Sequence, residues 1–99
     1  MVDAGDYASI LPTNFVLDTI YPNPFNPSTN ISFAVPVDSH VNISIYDING
    51  RLVEKLLNNM VSAGYHQIEW NGINESSGLY ILKMQSDGFI DTQKMMLIK

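Results

Sequence analysis

Apolar side chains recur at every second position in several short runs of this chain. Thr29, Ile31, Phe33 and Val35 alternate with Asn30, Ser32 and Ala34, and Val41, Ile43 and Ile45 alternate with Asn42 and Ser44. In an extended strand successive side chains point to opposite faces, so this spacing collects one apolar face per segment, which a helix with its 3.6-residue repeat would scatter. Such a face is stable only when another layer covers it.

Turn signals separate the runs. Pro36, Asp47-Ile48-Asn49-Gly50, Ala63-Gly64, Asn71-Gly72, Asn74-Glu75-Ser76-Ser77-Gly78 and Asp87-Gly88 all punctuate the sequence. They divide it into about seven short strands, the pattern of an antiparallel sandwich or barrel. The strands are expected over residues 15–21, 29–35, 41–46, 51–57, 65–70, 79–84 and 89–99. Asn49-Gly50 predicts a type I′ hairpin, because that turn needs two positive φ angles and Asn and Gly tolerate them best. The return after it is ambiguous: Leu52, Val53, Leu56, Leu57 and Met60 recur at helical spacing, and only the hairpin before them argues for a strand. Residues 1–14 read as a linker from an upstream domain, leaving 15–99 as the folded unit.

The composition fits such a unit. The chain has 99 residues, 45% hydrophobic and 15% charged, enough apolar surface to avoid disorder and enough length for one modest core. A formal charge of −5 is the wrong sign for neutralising nucleic-acid phosphates or anionic headgroups. Without cysteine there are no disulfides and no thiolate metal sites. No apolar run reaches the ~20 residues that span a bilayer, and Met1-Val2-Asp3-Ala4-Gly5-Asp6 lacks the basic and apolar segments of a signal peptide. If the domain is secreted, its export signal is expected on a longer parent, with Met1 an artificial start and no direct insertion into a membrane.

Catalytic and cofactor signatures are weak. His40 lies in a polar turn, and His66 shares a strand face with Ile68 and Trp70, where a structural role outweighs a catalytic one. Two histidines make a poor zinc site. Asp47-Ile48-Asn49-Gly50 begins like a calcium loop but lacks the later ligands. No phosphate-binding glycine motif occurs, so neither an enzyme nor a cofactor is expected. Tyr7, Tyr21, Tyr46, Tyr65 and Tyr80 would suit a sugar-stacking surface if the fold gathered them, which keeps an accessory adhesion or carbohydrate-binding module as the alternative reading. Trp70 is a core candidate on size alone, since the Cys–Trp–Cys pattern of antibody domains is absent.

The ordered series of motifs is more specific. Tyr21-Pro22-Asn23-Pro24-Phe25-Asn26-Pro27-Ser28-Thr29, Ile31-Ser32-Phe33, Val35-Pro36, Tyr46-Asp47 and Asn49-Gly50-Arg51-Leu52-Val53 occupy the first half. Ala63-Gly64-Tyr65-His66, Trp70-Asn71-Gly72, Ser77-Gly78-Leu79-Tyr80 and Lys94-Met95-Met96-Leu97-Ile98-Lys99 continue it. From about Ile20 to Lys99 this series resembles the type A C-terminal sorting domain of type IX secretion cargo in Bacteroidetes. The resemblance implies an immunoglobulin-like β-sandwich at the C-terminus of a passenger protein. It implies recognition by the outer-membrane translocon and its sorting and cleavage machinery, and a destination at the cell surface or outside the cell, via the periplasm.

Within that resemblance Lys94, Met95 and Lys99 are the candidate recognition residues. Lys94 and Lys99, five apart, are expected on opposite faces of a final edge strand whose main chain is free to pair with a receptor. Pro22, Asn23 and Pro24 are read as fixing the path between the first two strands. Gly64 and Gly78 are turn positions, and His66, Trp70 and Tyr80 are structural.

Overall fold

The computed structural model describes residues 11–99, so most of the expected linker lies outside the described residues. Seven strands follow in order: β1 (Val16–Tyr21), β2 (Ser28–Val35), β3 (Ser39–Asp47), β4 (Leu52–Val61), β5 (Gly64–Asn71), β6 (Gly78–Ser86) and β7 (Phe89–Leu97). They form a three-stranded sheet, β1-β2-β5, and a four-stranded sheet, β4-β3-β6-β7. All strand pairings within the sheets are antiparallel. This is the all-β sandwich that the alternation predicts.

The alternating residues face each other across the sandwich. Ile31 and Val35 of β2, Val41, Ile43 and Ile45 of β3, Leu82 and Met84 of β6, and Met95 and Leu97 of β7 are all completely buried. Removing a side chain of this size from water contributes about 1.5–3 kcal/mol. The buried hydroxyls of Thr29, Ser39, Ser44 and Ser86 are each within hydrogen-bond distance of a carbonyl or amide oxygen, which removes the cost of leaving them unpaired.

β4 is a strand, and it runs to Val61 rather than stopping near Leu57. Its misleading helical spacing has a geometric cause. Ile43 and Ser44 pair with Leu57 and Lys55, and Ile45 and Tyr46 pair with Glu54 and Leu52, so β4 carries an extra residue at each of two places, Leu56 and Val53. Each bulge turns a two-residue step into three. Val53, Leu56 and Leu57 thereby all pack partly against the core.

The two hairpin turns differ from each other. At Asp87-Gly88 both residues have positive φ, 43° and 85°, as a type I′ turn requires. At the first hairpin Gly50 alone is positive, at 82°, and Asp87 is the one described non-glycine with positive φ. Asn49 therefore does not take the predicted type I′ conformation. The Gly50 amide donates to the Asp47 carbonyl at 3.0 Å, closing a type I turn that ends on a left-handed glycine. Asp47 stabilises this version because its carboxylate accepts from the amides of Asn49 and Arg51 at 2.9 and 3.0 Å. The amide of Arg51 above all holds this carboxyl below its ordinary value; loss of hydration opposes it, and the Asn49 amide and the Arg51 charge add smaller pulls downward.

Candidate functional site

β7 is an edge strand of the four-stranded sheet. Met95 and Leu97 point into the core while Lys94 and Met96 point outward. The register places Lys94 beside Ile81, Ile81 beside Tyr46, and Tyr46 beside Leu52. One row on the outer face thus crosses all four strands and ends on the exposed Lys94 ammonium. Met95 is completely buried, so in the folded domain it offers a partner no side-chain surface.

Lys99 lies beyond the strand, which ends at Leu97, so it does not share a regular alternation with Lys94. Its amide donates to the Ser77 hydroxyl at 3.0 Å and its ammonium to the Ile73 carbonyl at 2.7 Å. Both contacts tie the chain's last residue to the loop between β5 and β6.

The proline-rich connection between β1 and β2 lies along the outer edge of β7. The peptide bonds before Pro22, Pro24 and Pro27 are cis. The Asn23 amide nitrogen donates to the Lys94 carbonyl at 3.0 Å, and the Asn23 amide oxygen accepts from the Met96 N–H at 3.0 Å. A side-chain amide has one donor face and one acceptor face, so it satisfies both main-chain groups as a peptide unit would. Phe25 follows with its own backbone: its N–H donates to the Met96 carbonyl and its carbonyl accepts from the Ile98 N–H, both at 2.9 Å. The Phe25–Leu97 bridge is parallel. The edge expected to be free is therefore occupied from Lys94 to Ile98.

Three contacts anchor this strap. The Phe25 ring is 2% exposed, with its centroid 5.6 Å from that of Trp70. The Pro22 carbonyl accepts from the Thr29 hydroxyl at 2.6 Å, and the Pro27 carbonyl from the Gly72 amide at 2.8 Å. Gly72 tolerates no side chain there without adjustment, since a Cβ would lie 3.1 Å from Leu97 and 3.5 Å from Trp70. Trp70 is buried and meets Tyr80 edge-on at 5.3 Å, while its indole N–H donates to the Glu54 carboxylate at 3.1 Å across the sandwich. Tyr80 donates to the Ser76 carbonyl at 2.6 Å. His66 stacks on Phe33 at 5.4 Å and pairs with the Ser62 carbonyl at 2.7 Å, an N–H of the ring donating. Gly64 and Gly78 open β5 and β6 with positive φ, 141° and 154°.

Pro22, Asn23 and Pro24 thus meet the Lys94 region, although about seventy residues separate them. Phe25 and Met96 complete the contact and are missed by the sequence reading. An Asn between two prolines signals a side chain acting in place of the missing N–H donors, but not which strand it meets. Among the described residues the tyrosines are not gathered. Tyr80 is buried, Tyr46 lies on the outer face of the four-stranded sheet, and Tyr7 lies outside the described residues. Tyr65 borders a depression of about 440 Å³ with Val16, Asp18, Ser32, Ala34 and Gln67 on the other sheet. Among the described residues no cluster of His, Asp or Glu is arranged to hold a metal ion.

The chain is a β-sandwich whose last strand is strapped by a proline-rich connection. Residues 19–99 match the family described as secretion system C-terminal sorting domain, and the protein belongs to that family. The fold is similar to part of PorZ, an essential bacterial surface component of the type-IX secretion system of Porphyromonas gingivalis. That likeness has a TM-score of 0.57 at 19% identity, covering 82% of this chain and 11% of PorZ. No curated protein matches the sequence. The domain is a sorting signal for type IX secretion, directing the protein that carries it across the outer membrane to the cell surface or beyond. The family is not one known for catalysis.

Proposed function

We propose that the domain performs no chemistry and delivers a covalently linked upstream passenger to the outer-membrane translocon, which reads the outward face of β7 around Lys94. The observation that carries this reading is the position of Lys94: an exposed ammonium on an edge strand, at the end of the row Leu52, Tyr46, Ile81. A charge here contributes little to folding and is free to be spent on a partner. Lys99 differs, because its two hydrogen bonds to the β5–β6 loop give it a folding role beside any part in recognition.

The test is a fusion of residues 15–99 behind a signal peptide and a reporter, carrying Lys94→Gln or Lys94→Glu, in a host competent for type IX secretion. Export should fall in the order wild type, Gln, Glu, with the melting temperature of the isolated domain unchanged within about 4 °C, since exposed substitutions usually shift stability by under 0.5 kcal/mol. Undiminished export of Lys94→Glu would remove Lys94 from the recognition surface.

A further inference from the structure

The outer edge of β7 has two halves with different occupants. The outward main-chain groups of Met96 and Ile98 belong to the alternate set that does not face β6, and the same parity assigns the outward set at Ile90, Thr92 and Lys94. Among the described residues no strand pairs with the edge at Ile90 and Thr92; the Thr92 amide is met by the carboxylate of its neighbour Asp91 at 2.9 Å. At Lys94 and Met96 the occupant is the exposed side chain of Asn23, and at Met96 and Ile98 it is the backbone of the anchored Phe25.

We infer that Asn23 is a gate: its amide stands in for a partner's peptide group at the Lys94–Met96 step, and an extended segment of the receptor pairs along Ile90–Met96 by displacing it. The inference rests on the sorting reading above. An unpaired edge invites association with any exposed strand. A side-chain amide closes this one with two hydrogen bonds that an incoming peptide can replace one for one, so the exchange is nearly balanced. The main chain at Ile90 and Thr92, unpaired by any described strand although the Gln93 side chain beyond it donates to the Leu17 and Asp18 carbonyls of β1 at 2.9 Å, gives the incoming segment a place to begin. Phe25 limits how far it runs because withdrawing that ring would uncover the core. Lys94 projects from the middle of the docked stretch and selects a segment with an acidic residue beside it. Addition of a strand to a sheet edge is a general mode of peptide capture.

Two measurements test the gate. In the 99-residue chain, amide hydrogen exchange followed by NMR should show Met96, held by the Asn23 side chain, exchanging at least ~10-fold faster than Ile98, held by Phe25. Asn23→Ala should speed Met96 further and leave Ile98 and Leu82 unchanged. Equal exchange at Met96, Ile98 and Leu82 would mean that the strap opens only with global unfolding and would overturn the inference. The second measurement locks the gate. The Phe25–Leu97 register places Pro24 beside Met96, and the chain has no other cysteine, so Pro24→Cys with Met96→Cys gives a single cross-link, verified by thiol alkylation. In the export assay the oxidised form should be retained in the periplasm while its reduced form and the wild type reach the surface. Export of the oxidised form at the wild-type rate would overturn the gate and leave the sorting reading intact. Retention of the wild type would overturn the sorting reading, and the gate with it.

Discussion

At the scale of single residues, two side chains decide most of what the sandwich ends do. Trp70 fills the space between β5, the strap and β6 and bonds to Glu54 of β4; Trp70→Ala should cost about 3–5 kcal/mol, since large buried aromatics leave cavities that collapse only in part. A loss below 1 kcal/mol in urea unfolding would deny it that place. Asp47 acts through charge. Its folded pKa is depressed from 3.8, so its contribution is full above the unfolded value and disappears as pH falls through the folded one. The difference in melting temperature between wild type and Asp47→Asn should thus be largest near neutrality and close below about pH 4. A gap independent of pH would assign it to geometry alone. The importance of Trp70 was legible in its size; that of Asp47 was not, because Asn49-Gly50 by itself favours a type I′ turn, and only the Asp47 contacts to the Asn49 and Arg51 amides select the other.

At the scale of elements, alternation made β2 and β3 legible because both are regular on their inner faces. β4 was obscured by its two bulges, and their signature cannot be separated from a helical repeat until the partner strand is known. The β3–β4 hairpin depends on Gly50 at φ 82°, where a Cβ meets the following carbonyl; Gly50→Ala should cost about 1–2 kcal/mol, although space for the methyl is ample. A neutral substitution in thermal unfolding would mean the turn can re-form around other angles. The strap was the least legible element. Its prolines announced a break in the ladder, yet nothing local indicates that Asn23 would reach residues 94 and 96. That contact depends on which strand lies at the sheet edge, a property of topology.

At the scale of the whole molecule, the two sheets use nearly all of the patterned apolar residues for one core. The sequence supported the sandwich on physical grounds, while the sorting role rested on the order of motifs, and the match over residues 19–99 carries that role. The structure adds a physical link between the proline-rich segment and the final strand of this chain: Asn23 and Phe25 close the edge that Lys94 to Ile98 form. The most direct test is the location of a reporter fused to residues 15–99 behind a signal peptide, compared between a type IX-competent host and the same host lacking the translocon. The reporter should reach the surface or medium in the first and accumulate, folded, in the periplasm of the second. Periplasmic retention of the folded fusion in both hosts would contradict the account.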